Sequence, residues 1–252
     1  MQKEDGVKAA NFTAKKMLTK ESLMKKISAI CILFALTFCS SQHPSNGIPA
    51  GNYKLDKTHA SLIFRVDHLG FSNYTARFKR FDATLDFDPA HPTKSKVVAT
   101  VDPTSLETDF PNTKKLNFNN MLQDKNWLNV AHFSQIKFVS NEIKITGKNS
   151  ADIIGEISLH GVKKPLILSA TFNGGYAGHP MDPSGARIGF SAKGSLNRSD
   201  FGIAFGIPAA DSKMGVSDKV EIILEVEFSK PAEKPFEKIN PTKTAKTGKI
   251  KN

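Results

Sequence analysis

The side chains able to do chemistry are few and scattered. Six histidines, His59, His68, His91, His132, His160 and His179, lie in the central part of the chain. None is spaced i, i+2 or i, i+4, the spacings that would put two ligands on one strand face or one helix turn. No GxSxG elbow, P-loop, GxGxxG, HExxH or CxxC occurs. Cys31 and Cys39 both fall within the first forty residues, so the rest of the chain has no thiol nucleophile, disulfide or cysteine-based zinc site. Asp200, two residues after Arg198, is either an acid for catalysis or half of an ion pair fixing the turn before Phe201 and Gly202. The absence of a second carboxylate close in sequence favours the ion pair. His68 and His160 fit strand-end histidines that bond the backbone, and Lys163-Lys164 fits a solvated turn. No catalytic residue and no metal site is therefore expected.

The elements that must position these residues are strands. A chain of 252 residues with 39% apolar and 23% charged residues is neither disordered, collagen-like nor a polytopic membrane protein. Period-2 alternation recurs from residue 53 onward: Leu62, Phe64, Val66 and His68 share one face, and Phe81, Ala83, Leu85 and Phe87 another. It continues through Val97, Ala99 and Val101, through Ile153 to Leu159, Leu166 to Phe172, and Ile188 to Ala192. It ends with Val220, Ile222, Leu224, Val226 and Phe228. Turn residues divide the runs at Asp88-Pro89-Ala90-His91-Pro92, Thr146-Gly147-Lys148-Asn149 and Asn173-Gly174-Gly175. Between Thr113 and Val130 the apolar residues Leu116, Met121, Leu122 and Leu128 follow helical spacing and predict one or two short helices. Antiparallel strands with one helical insert make a sandwich or an up-and-down barrel. The phenylalanine-rich faces, from 18 Phe in all, form either a packed core or the wall of a pore in a barrel of about eight strands, which can hold one small ligand.

The net charge of +11 suggests a nucleic-acid partner only until it is divided. Residues 1–47 carry +4, residues 230–252 carry +5 and residues 48–229 only +2. Basicity at the ends argues against a basic groove on the domain, and no nucleic-acid partner is expected. Met24-Lys25-Lys26, twelve mostly apolar residues from Ile27 to Phe38, and Cys39-Ser40-Ser41-Gln42 have the order of a secretory signal peptide over 24–41. The apolar run is too short to span a hydrocarbon core of about 30 Å. Residues 1–23 are then an extension, with Met24 an alternative start. Two exits stay open: cleavage after Ser41, or a lipobox at Leu36-Thr37-Phe38-Cys39 that makes Cys39 the lipidated first residue, with Phe38 a departure from the small residue usual there. Either exit places the mature domain in the periplasm or outside the cell, soluble or anchored to a membrane. A linker over 42–50 and a disordered Lys-rich tail over 230–252, where apolar residues are scarce, complete the expected organisation.

The barrel segment resembles the YceI-like proteins, and the resemblance runs from about Gly51 to Phe228. It is carried by Tyr53-Lys54-Leu55-Asp56, His59-Ala60, Phe64 to Gly70, Phe87-Asp88-Pro89, Val101-Asp102 with Ser105-Leu106-Glu107-Thr108, Gly155 to Pro165, and Asn197 to Ile203 with Gly215 to Val220. Each string is weak alone; together, in order and spacing, they are specific. The family's Arg-Asp and Phe-Phe pairs in the helical segment are replaced by Asn112 to Leu116 and by Trp127-Leu128, which keeps the apolar bulk and departs from the family at the Arg-Asp pair.

The resemblance implies an all-β, lipocalin-like antiparallel up-and-down barrel over residues 51–229, with a short helical insert. Its pore would hold a long isoprenoid-type lipid, polyprenyl or quinone, with no other cofactor and no enzymatic activity. Phe64, Val66, His68, Phe81, Leu85, Ile157, Leu159 and Phe190 would be the wall and Leu116, Leu122 and Trp127 the lid, on the premise that these faces point inward; a one-residue slip would reverse them. The partners expected are the lipid, a membrane surface reached through Cys39 or the Lys-rich tail, and a second copy in a homodimer. The rival readings are an enzyme using His68, Arg198 and Asp200 in the same pore, and a surface protein whose barrel is fully packed.

Overall fold

In the computed structural model of the chain, residues 47–111, 115–212 and 214–231 are described. The N-terminal extension, the signal segment with Cys39, and the tail from residue 232 lie outside them. Ten strands follow in order: β1 (Gly51–His68), β2 (Ser72–Phe78), β3 (Phe81–Phe87), β4 (Lys96–Val101), β5 (Leu106–Glu107), β6 (Ile136–Gly147), β7 (Ser150–Leu159), β8 (Val162–Tyr176), β9 (Ala186–Asn197) and β10 (Val216–Lys230). The helix α1 (Phe118–Leu122) stands between β5 and β6. β2 lies against the second half of β1 and β3 against its first four residues, so the two form one broken staff; β4 and β5 do the same beside them. Eight staves result, each antiparallel to its chain neighbour, and β10 closes the ring on β1 through Leu62↔Leu224, Phe64↔Ile222 and Val66↔Val220. The expected eight-stranded up-and-down barrel is the fold, and closure leaves only the two-residue β5 with a free edge.

One end of the barrel, the lid end, carries the β1–β2 and β7–β8 turns and the segment with α1. The other, the floor end, carries the β3–β4, β6–β7 and β8–β9 connections. At the lid end Leu159 and Val162 pair across a two-residue turn, His160-Gly161, in which both residues have positive φ (52° and 77°). This is the mirror-image turn whose twist matches a hairpin. Gly161 is needed twice over, because a Cβ there would also meet the Phe133 ring at 2.7 Å. His160 Nδ1 lies 2.9 Å from the Phe201 carbonyl, the backbone bond expected of it. At the floor end Tyr53, Phe87, Phe172, Phe190 and Phe228 form an aromatic stack, with ring centroids 5.4–6.5 Å apart. Burial pushes the Tyr53 hydroxyl up to about 12, and it donates to the Pro49 carbonyl at 2.7 Å. Outside the floor, Arg187 gathers Asp56 (2.6 Å), Asp182 (2.9 Å) and Glu227 (2.5 Å) from β1, the β8–β9 loop and β10.

Two expectations about local structure are corrected. Asn173-Gly174-Gly175 is not a turn: β8 runs on to Tyr176 through a bulge between Phe172 and Gly174, where Gly174 takes φ 130°. Glycine in a strand interior signals a bulge as readily as a turn. Lys163 and Lys164 open β8 instead of forming a turn, and Lys163 pairs with Glu156 across the hairpin at 3.1 Å.

The strand glycines test the closeness of this packing. A Cβ on Gly155 would stand 2.4 Å from the Val139 carbonyl oxygen and 2.5 Å from the Phe138 ring, whereas on Gly189 nothing lies nearer than 3.9 Å. Gly155→Ala is expected to destabilise the barrel by about 1–3 kcal/mol, and Gly189→Ala to leave stability within about 1 kcal/mol of wild type or raise it. Guanidinium unfolding monitored by circular dichroism measures both.

Candidate functional site: an apolar pore

Alternation determines what faces inward. Even-numbered residues of β1 from Leu62 onward and of β8 to β10, with odd-numbered residues of β3, β4 and β7, line one continuous cavity of about 770 Å³ inside the barrel. The volume falls in the range of sites that enclose a small molecule. It exists because the inward positions at mid-height are small. Ala83 pairs with Ala99, and Ala151, Ala170 and Ala192 follow one another across β7, β8 and β9. Eight staves enclose a space that large side chains would fill, and a methyl group at each of these positions leaves it open.

Phe64, Val66, His68, Phe81, Leu85, Leu122, Trp127, Ile157, Leu159 and Phe190 all stand on the cavity wall, so the register of every strand predicted to contribute is the inward one. Leu116 does not. It precedes α1, is 41% exposed and lies outside the lining. Helical spacing over 113–130 suggested that it shares a face with Leu122, but the α-helix is only five residues long and begins at Phe118, so no common face exists. The alanines, though several stand in the alternating runs, are not among the expected wall residues, and neither are Leu62, Phe138, Phe172, Leu224 and Phe228, which follow the same alternation.

The lid is held by polar bonds outside the pore. Asn117 caps α1 by accepting from the Asn120 amide at 3.0 Å. Asn119 Oδ1 accepts from the Thr108 amide and hydroxyl (3.1 and 2.6 Å), and its Nδ2 donates to Glu107 Oε1 at 3.1 Å. The Asn119 amide, and then the Lys79 ammonium 3.1 Å away, hold the Glu107 carboxyl down at about 2. From this anchor the chain carries Leu122, Trp127 and Leu128 over the end of the pore.

His68 and Arg198 stand on the cavity wall, but Asp200 is exposed and outside the lining, so the three candidates for an enzyme are not assembled. Nor does Asp200 pair with Arg198. The Arg198 guanidinium donates instead to the carbonyls of Ile203, Phe205, Val216 and Ser217 (2.8–3.0 Å) and lies 5.3 Å from the centre of the Trp127 ring. A guanidinium has five donors in a fixed fork, and a loop of convergent carbonyls satisfies it better than one carboxylate on the preceding turn. Asp56, His59 and Glu227 form the one cluster with metal-ligand spacing among the described residues. Arg187 already bonds both of its carboxylates, so a cation is in place beside them.

A closed antiparallel barrel around a largely apolar pore is the architecture of a lipocalin-like ligand-binding protein. The YceI-like domain profile matches residues 53–228, and the chain belongs to that family. It is 37% identical over 184 residues to a UPF0312 protein of Pseudomonas fluorescens, covering 72% of this chain and 88% of the relative. It is 35% identical over 198 residues to the protein YceI of Escherichia coli O157:H7, covering 77% and 95%. The crystal structure of BcnA from Burkholderia cenocepacia has the same fold, with a TM-score of 0.57 at 21% identity over 69% of this chain and 98% of that one.

The single tryptophan, Trp127, reports on the lid. The Glu107 pKa is lowered on folding, so its bonds contribute fully above its unfolded value of about 4.3 and are lost as pH falls through about 2. Trp127 emission is expected to shift between pH 4 and 2, and Glu107→Gln, which cannot titrate, to lack that step. Fluorescence pH titration of the two proteins checks this.

Proposed function

We propose that this protein is a non-enzymatic carrier that holds one long isoprenoid-type lipid, polyprenyl or quinone, in the barrel pore. The observation that carries the reading is the pore wall, which is apolar over nearly its whole area and has room for a ligand because alanines stand side by side on neighbouring strands. A wall without a pattern of polar groups suits a ligand that is apolar along its length, and removing such a chain from water contributes about 25 cal/mol per Å². Family membership supports a binding role. An unfilled interior is a poor match for a packed structural barrel, and the exposed Asp200 is a poor match for an enzyme in the same pore.

Export to the periplasm or beyond belongs to the same proposal, on the strength of the signal-like segment 24–41. Lipidation of Cys39 would anchor the carrier, and the seven lysines of 230–252 would add electrostatic attraction to an anionic surface at about 1 kcal/mol each. A homodimer is an assembly to be checked by sedimentation.

Mass spectrometry of an organic extract of the protein, purified gently from bacterial periplasm, tests the carrier reading. A stoichiometric isoprenoid is expected. A clean extract together with no uptake of added polyprenyl lipid would overturn it. Ala192→Phe puts a ring into the space that the alanines leave open and is expected to weaken lipid uptake at least about tenfold, or 1.4 kcal/mol. The overpacking cost to stability is about 1–3 kcal/mol. Displacement of a fluorescent acyl probe, with thermal unfolding alongside, measures both.

A further inference from the structure

Arg198 is the buried charge on a largely apolar wall. It opens the short 3-10 turn Arg198–Phe201 at the lid end, is 4% exposed and stands on the cavity wall. Nε donates to the Ser217 carbonyl (2.9 Å), Nη1 to those of Ile203 and Phe205 (3.0 and 2.8 Å), and Nη2 to that of Val216 (2.8 Å). These bonds use four of the five N–H groups of a guanidinium and leave one on Nη2. Trp127 covers the cation with its π face. Among the described residues no carboxylate forms an ion pair with it: Asp200 is exposed, and Asp218 spends its oxygens on the Ser199 amide and hydroxyl (2.8 and 2.6 Å) and acts on Arg198 only through space.

A buried cation with no carboxylate bonded to it is costly, and an arginine cannot escape the cost by losing its proton. Pinning the β9–β10 loop explains the four bonds and leaves the net charge beside the pore unexplained. In a low-dielectric cavity that charge is weakly screened, so it discriminates strongly between a neutral and an anionic group placed at the same end. His68 and the Tyr74 hydroxyl, which donates to the Thr108 carbonyl at 3.3 Å, line the same end of the cavity. Phe205 packs on Trp127 at 5.4 Å and is 58% exposed, so this end lies one aromatic layer beneath the surface.

We infer that the lid end of the pore is a head-group subsite, in which Arg198 selects lipids whose head is an oxyanion, a carboxylate or a phosphate ester, over neutral lipids with the same tail. The inference rests on the carrier reading and narrows it: the favoured ligand is an anionic amphiphile, and a quinone or a free alcohol is second best.

Titration calorimetry on the delipidated full-length protein tests it with chain-matched pairs, hexadecanoate against hexadecanol and farnesyl diphosphate against farnesol. The anion of at least one pair is expected to bind about tenfold or more tightly than its alcohol. Preference in the first pair alone assigns a carboxylate head, and in the second alone a phosphate head. The ratio is expected to fall below about threefold in Arg198→Met and to be largely kept in Arg198→Lys, which retains the charge. Alcohols that bind as tightly as their anions overturn the subsite and leave the carrier reading standing. If no member of either pair binds, both fall. The wild-type ratios decide the matter even if Arg198→Met does not fold.

Discussion

The interior of an eight-strand barrel must be filled, because a void loses the dispersion contacts its lining would otherwise make. Every other feature of this molecule follows from how that demand is left partly unmet. At the floor five aromatic rings meet and fill the space. At mid-height neighbouring inward residues shrink to alanine and the space opens. At the lid end a separate segment, too short of regular structure to pack by itself, is fastened by Asn119, Glu107 and Thr108. The fold thus keeps its closure in the backbone ladder and its vacancy in the side chains, so either can change without the other.

Charge is sorted by the same geometry. The ionic clusters, Arg187 with its three carboxylates and Glu107 with Lys79, sit on outer surfaces and tie neighbouring elements together. Partial exposure spares these groups the full desolvation cost, and they add little to the field within the pore. Arg198 is the one guanidinium on the cavity wall, and it is held by carbonyls drawn from the loop it organises.

Much of this was legible in the chain. Alternation such as Leu62, Phe64, Val66 and Val220, Ile222, Leu224 needs only a pleated backbone to point one way, and the number of runs implied a barrel or sandwich. The resemblance then decided between them. Three things were hidden for physical reasons. Ala83, Ala99 and Ala192 look like weak core residues until their cross-strand partners are known to be small as well. The β8 bulge and a turn share the same glycine signature, and only register separates them. The lid's spacing imitates a helix over eighteen positions, yet Asn117 starts and Gln123 ends a helix of five, so Leu116 had no face to share with Leu122.

The ring is closed by the first strand and the last. Because β1 must wait for β10 before Leu62 meets Leu224, the pairing that completes the wall spans nearly the whole domain. Contacts of such long sequence separation carry a loop-closure entropy that is met late, and they slow folding. A chain shortened within β10 would hold its hairpins and still have no inside. Molecules emerging from synthesis are therefore without a binding compartment until their final strand arrives, and a hydrophobic guest that favours the closed ring draws the equilibrium toward it.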